Sequence, residues 1–130
     1  MIQKIGLGLT MLVLDDEKDI CHFVKEFFSR RGFKVHTALT GKNAIRMVKE
    51  IKMDIALLDI RLTKGRIDGV DVLKFIKDQQ PQAYCVMVSY LDDVKLIRQL
   101  KKTGAKEYWL KPLTFKKIES AIKRIVQKIR

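Results

Sequence analysis

Hydrophobic and polar positions follow two alternating periods along this chain. Five short apolar runs stand out: "LTMLVL" (9–14), "KVHTA" (34–38), "DIALLD" (54–59), "YCVMVS" (84–89) and "EYWL" (107–110). Several place Val, Ile or Leu on consecutive positions, as strands buried on both faces of a parallel sheet do. Between the runs the apolar spacing becomes helical: Ile20, Phe23, Val24 and Phe27; Ala44, Ile45, Val48 and Ile51; Val72, Leu73 and Ile76; Val94, Ile97 and Leu100; and Phe115, Ile118, Ile122, Ile125 and Ile129. The punctuation agrees. Gly32 and Gly104 stand where helix ends call for glycine, Thr40 and Thr114 where helix starts call for a capping hydroxyl, and Pro81 follows the third helix.

Strand–helix alternation repeated five times predicts an α/β fold of the flavodoxin-like (βα)5 type, a parallel sheet with right-handed crossovers and helices on both faces. The expected doubly wound order is 2-1-3-4-5, which sets strands 1 and 3 side by side at the switch point. Ligands of such sheets bind there, outside the carboxyl ends of the strands.

Composition narrows the class without changing this picture. A chain of 130 residues with 47% hydrophobic and 32% charged side chains suits one globular domain, 1–130, large enough to stand without disulfides. No apolar run approaches the roughly 18 residues of a membrane helix. "IGLGLTMLVL" (5–14) leads straight into "DDEKD" without a small-residue cleavage site, so it is expected to be a strand of a cytoplasmic protein rather than a signal peptide. Cys21 and Cys85 sit apart in apolar contexts and are expected to be buried, reduced thiols. His22 and His36 are isolated.

Charge is uneven. Of the formal +12, residues 91–130 carry +8. A basic surface attracts nucleic acid, anionic lipid or an acidic protein, and is equally compatible with a solvated face. With no nucleic-acid motif in the chain, the protein-facing or solvated readings are preferred.

The candidate chemistry lies at the strand ends. Asp15 and Asp16 close strand 1 and Asp59 closes strand 3, so the expected strand order brings three carboxylates into one crevice. Oxygen donors without imidazole or thiolate suit a hard cation, and Mg²⁺ takes a few carboxylates while keeping positions for water and phosphate. Ser89 ends strand 4, and Lys111 with Pro112 follows strand 5. A carboxylate can attack a phosphoryl group to form an aspartyl phosphate, a transfer that needs cationic and hydroxyl partners around the phosphoryl oxygens.

Together, Asp15-Asp16, Asp59 in "LLDI", Ser89 in "VMVS" and "GAKEYWLKP" (104–112) resemble the receiver domain of two-component response regulators, over nearly the whole chain. The resemblance implies that Asp59 accepts a phosphoryl group from a histidine kinase or His-phosphotransfer protein. It implies Mg²⁺ held by Asp15, Asp16, Asp59 and the backbone carbonyl of Arg61, with Asp16 the more direct ligand and Asp15 acting through water. Lys111 pairs with the phosphoryl oxygens, the Lys111–Pro112 peptide is cis, and Ser89 and Tyr108 form the switch. The chain is then a phosphoacceptor rather than an enzyme.

Two departures from the family pattern stand out. Where the family usually reads DIxMPxMDG, this chain reads "DIRLTKGRIDG": the proline is missing and Asp68-Gly69 comes two residues late, on a loop carrying Arg61, Lys64 and Arg66. The residue after Ser89, usually small, is Tyr90. Its bulk is expected to narrow the path of donor and water, giving slow phosphorylation by small donors and a long-lived product.

No output domain is expected within these residues, which form either a stand-alone receiver or part of a longer protein. Receivers commonly engage partners through the fourth helix, fifth strand and fifth helix. Here that face is expected to carry Lys95, Arg98, Lys101, Lys102, Lys106, Lys116, Lys117, Lys123 and Arg124, with Trp109 either an exposed anchor or part of the core. Such charge disfavours self-association and predicts a monomer before phosphorylation and a downstream target with an acidic surface. A degenerate receiver acting as a phosphorylation-independent scaffold is the main alternative. Direct nucleic-acid binding ranks lower, and a haloacid-dehalogenase-type phosphohydrolase lower still, because "LDDEKD" lacks its DxD and following DGT.

Overall fold

The computed structural model describes residues 2–61 and 68–130. Among the described residues ten elements alternate in order: β1 (Thr10–Leu14), α1 (Lys18–Ser29), β2 (Lys34–Ala38), α2 (Gly41–Glu50), β3 (Ile55–Asp59), α3 (Gly69–Gln79), β4 (Tyr84–Ser89), α4 (Val94–Thr103), β5 (Glu107–Leu110) and α5 (Phe115–Ile129). The sheet order is β2-β1-β3-β4-β5, with every pair parallel.

Successive strand residues face opposite sides of the sheet and so build two cores. Leu12, Leu14, Ala56, Leu58 and Met87 pack against Ala44 and Val48 of α2, Val72, Leu73 and Ile76 of α3, and Leu100 of α4. Met11, Val13, Ile55, Leu57, Val86 and Val88 pack against Val24 and Phe28 of α1 and Ile122, Ile125 and Val126 of α5. Both faces are therefore covered, which is why the strands read as unbroken apolar runs.

The helix boundaries follow side-chain chemistry. The Thr40 and Thr114 hydroxyls accept from the backbone N–H of Asn43 and Lys117. Asp68 and Asp71 form a reciprocal capping box on α3, and Asp93 accepts from the N–H groups of Lys95 and Leu96 on α4. Gly104 leaves α4 at φ 126°, where an L side chain would be strained, and both it and Ala105 return N–H bonds to the Leu100 carbonyl.

Three residues on the expected helical stripes are not core. Phe23, Val94 and Phe115 are exposed. Val94 is the first residue of α4. Phe23 and Phe115 instead stack on each other across α1 and α5, ring centroids 4.7 Å apart, with Phe27 5.8 Å from Phe115. Trp109 is half-buried against the α1/α5 core, and both cysteines are buried free thiols whose pKa burial raises to about 11. No helix among the described residues is long and apolar enough to cross a membrane.

Candidate functional site

The carboxyl ends of β1 and β3 lie side by side because these strands are neighbours at the point where the strand order reverses, and the Lys111 side chain reaches them from beyond the end of β5, on the far side of β4. Asp15 and Asp59 are both buried there. The Lys111 ammonium reaches between them, 3.1 Å from Asp59 Oδ2 and 3.4 Å from Asp15 Oδ2. One cation thus serves two buried carboxylates. The remaining oxygen of Asp15 accepts from the Glu17 N–H at 2.9 Å, and Asp59 accepts from the Arg61 N–H.

Electrostatics follow from that geometry. Burial pushes the Asp59 carboxyl above its ordinary range, a shift that Lys111 and the Arg61 N–H oppose without cancelling. Burial pulls the Lys111 ammonium down, but Asp15 and Asp59 outweigh it and hold its pKa above the ordinary value. Lys111 is therefore charged throughout the neutral range.

The donor set fits a hard cation. Carboxylate oxygens of Asp15, Asp16 and Glu17 lie within 4.8 Å of one another, with no imidazole or thiolate in the group. Glu17 was not among the ligands expected from sequence. Its only signal there was its place in "DDEKD", and it is exposed where Asp15 is buried.

Ser89 is buried, and its Oγ accepts from the Leu91 N–H at 3.0 Å. Tyr108 is half-buried, and its hydroxyl donates to the Leu91 carbonyl at 2.7 Å. The two expected switch residues are thus joined through the backbone of Leu91, a residue that side-chain chemistry alone gave no reason to single out. The Lys111–Pro112 peptide is cis, as expected.

Gly69 answers part of the question raised by the displaced Asp-Gly pair. A Cβ at this position would lie 1.9 Å from the Asp59 carbonyl oxygen, and the Gly69 N–H donates to Ile60 O at 3.1 Å. The first turn of α3 rests directly on the backbone of Asp59, despite the two extra residues before it. Lys64 and Arg66 lie outside the described residues.

The expected basic face is exposed along α4 and α5, but it is not uniformly open. Arg124 pairs with Glu107 at 2.6 Å and Lys123 approaches Glu119 at 3.9 Å. The α4 residues Lys95, Arg98, Lys101 and Lys102 have no comparable acidic partner among the described residues.

Comparison with known proteins agrees with this architecture. Residues 11–123 match the response regulator receiver domain family. The chemotaxis protein CheY of Thermotoga maritima is 27% identical over 120 residues, covering 92% of this chain and 98% of its own. The transcriptional regulatory protein ZraR of Escherichia coli is 28% identical over 117 residues, 90% of this chain, which spans only 26% of that longer protein. Among solved structures, a two-component response regulator from Clostridium difficile superposes with a TM-score of 0.86 at 25% identity, covering 95% of this chain and 99% of its own. With Asp15, Asp59 and Lys111 gathered at the switch point of a 2-1-3-4-5 sheet, the chain belongs to the response regulator receiver domain family.

Proposed function

We propose that this receiver is a working phosphoacceptor: Asp59 takes a phosphoryl group from a histidine kinase or His-phosphotransfer protein, and the α4–β5–α5 face then changes its fit to a downstream protein. The observation that carries the reading is the single Lys111 ammonium shared by two buried carboxylates. Among the described residues, Asp15 and Asp59 together carry more negative charge than Lys111 neutralises, which favours a further cation and a ligand with oxygens for Lys111 to bind.

In the transfer, an Asp59 carboxylate oxygen attacks phosphorus in line while the bond to the donor nitrogen breaks and its electron pair leaves with the imidazole. Lys111 exchanges its carboxylate contacts for phosphoryl oxygens, and Ser89 Oγ, released from the Leu91 N–H, donates its proton to another. Because Leu91 also receives the Tyr108 hydroxyl, that release loosens Tyr108 and the start of α4. Asp15, Asp16, Asp59 and the Arg61 carbonyl are the residues that would hold Mg²⁺, and of these Asp15 and Asp16 bring their carboxylates together with that of Glu17. Bound there, Mg²⁺ supplies neutralising charge to the phosphoryl oxygens.

The exposed basic row of α4 supports an acidic protein surface as the downstream partner, in preference to nucleic acid, and its self-repulsion supports a monomer before phosphorylation. Intact-protein mass after incubation with acetyl phosphate and Mg²⁺ tests the reading. One phosphate adduct is expected, dependent on Mg²⁺ and absent in Asp59→Asn. No adduct, together with no response to beryllofluoride, sinks it in favour of a phosphorylation-independent scaffold, cytoplasmic in either case.

A further inference from the structure

Tyr90 is an aromatic side chain placed in the open. It is 73% exposed, yet it lies at the rim of the carboxylate site. The Lys111 Nζ is 5.5 Å from its ring centroid, within the reach of a cation–π contact. The same ring borders an apolar cavity of about 320 Å³ that Asp15, Asp59, Lys111 and Trp109 also line. Its backbone has little freedom to carry it elsewhere, for it sits between Ser89 and Leu91, which are bonded to each other and, through Leu91, to Tyr108.

Lys111 therefore has two kinds of neighbour: Asp15 and Asp59 on the inside, and the face of Tyr90 outside. Nothing in the core requires a large aromatic at so exposed a position, and among the described residues the ring's electrostatic contact is with the ammonium the phosphoryl group must use.

We infer that Tyr90 is a positioning residue for Lys111 and a shield over the phosphorylated site, so that the domain is slow to accept from small phosphodonors and slow to lose its phosphoryl group to water. This deepens the phosphoacceptor reading and rests on it. In acceptance, Asp59 Oδ attacks the phosphorus of acetyl phosphate, the bond from phosphorus to the bridging oxygen breaks, and acetate leaves with that electron pair. In loss, a water oxygen attacks phosphorus, the bond to Asp59 breaks and restores the carboxylate, and inorganic phosphate departs with the protons of the water shared with solvent. Both in-line paths need the open side of the site that the ring borders. Both also need Lys111 free to follow the phosphoryl oxygens, and the cation–π contact holds it back.

The experiment follows adduct formation with acetyl phosphate and, after donor removal, adduct loss, by intact mass in the parent, Tyr90→Ala and Tyr90→Phe. Beryllofluoride binding is read in parallel from the fluorescence of Trp109, the single tryptophan. Tyr90→Ala should speed both steps by about two- to fivefold, the factor that an exposed cation–π contact corresponds to. Tyr90→Phe, which keeps the ring, should remain as slow as the parent, a difference that a merely structural role for the residue does not predict. Adducts that form and decay at one rate in all three proteins overturn the shield and leave the phosphoacceptor reading intact. No adduct and no Trp109 response in any of them overturns both.

Discussion

Two charge networks, one buried and one half-buried, lie at opposite ends of β5, and they are built on opposite principles. At the carboxyl end, two carboxylates share one ammonium and Asp59 is held above its ordinary pKa. At the amino end, one carboxylate has three donors: Glu107 receives the Tyr84 hydroxyl at 2.6 Å, the Trp109 indole N–H at 3.0 Å and the Arg124 guanidinium at 2.6 Å. Burial works against the Glu107 carboxylate, yet these donors outweigh it and lower its pKa. A satisfied network fixes strand β5 to β4 and α5. In the other, Asp15 and Asp59 share the Lys111 ammonium, and burial holds the Asp59 carboxyl above its ordinary pKa. The contrast sets an excess of donors over charge against an excess of charge over donors within a single strand.

Substitutions should divide along the same line. Glu107→Ala is expected to cause the largest loss, about 2–3 kcal/mol in denaturant unfolding, because it strands the Tyr84 hydroxyl and Trp109 N–H. Gly69→Ala should cost about 1–3 kcal/mol and slow adduct formation as well, since its Cβ displaces the Asp59 carbonyl. An alanine with parent stability and parent phosphorylation would show that α3 does not position Asp59. Asp59→Asn should do the reverse of Glu107→Ala and stabilise the protein by about 1 kcal/mol at neutral pH, by removing a carboxylate that burial disfavours.

Acid sharpens the comparison, because the two groups titrate with opposite signs. Glu107 has a folded pKa below its ordinary 4.5, so its contribution is present above that value and is lost as pH falls through the folded pKa. The deficit of Glu107→Gln should therefore shrink on acidification below about pH 4.5. Asp59 has a folded pKa above its ordinary 3.8, so its favourable contribution belongs to the protonated form, complete below that value and lost as pH rises through the folded pKa. The advantage of Asp59→Asn should accordingly be greatest at neutral pH and vanish in acid. Denaturant midpoints measured from pH 7 to pH 3 test both, and parallel curves would erase the distinction between the networks. The smallest effect concerns the basic surface: sedimentation at low ionic strength should find a monomer, and a stable dimer through α4 and α5 would contradict the repulsion argument.

Most of the architecture was legible in the chain. Periodicity located every strand to within one residue, because parallel strands covered on both faces must be apolar at consecutive positions. It misjudged Phe23 and Phe115, since an apolar stripe shows which face a helix turns inward but not where the neighbouring helix stops covering it. Asp15, Asp59 and Lys111 were identifiable as a group only because the strand order follows from the alternation of elements. Glu107 was not, since its three partners come from positions with no motif of their own, and Glu17 was hidden among neighbouring acids.

By itself, then, the sequence determined the order of elements, the parallel sheet, the strand order and the ends at which the acids collect, because these depend on local periodicity, chain connectivity and handedness. Tertiary structure alone decided that Lys111 spans both carboxylates, that Leu91 joins Ser89 to Tyr108, that Gly69 bears on Asp59 and that the Tyr90 ring stands beside Lys111. Those contacts depend on distances of a few ångströms between residues far apart in the chain, set by how two cores pack on opposite faces of one sheet. No spacing along the sequence encodes them.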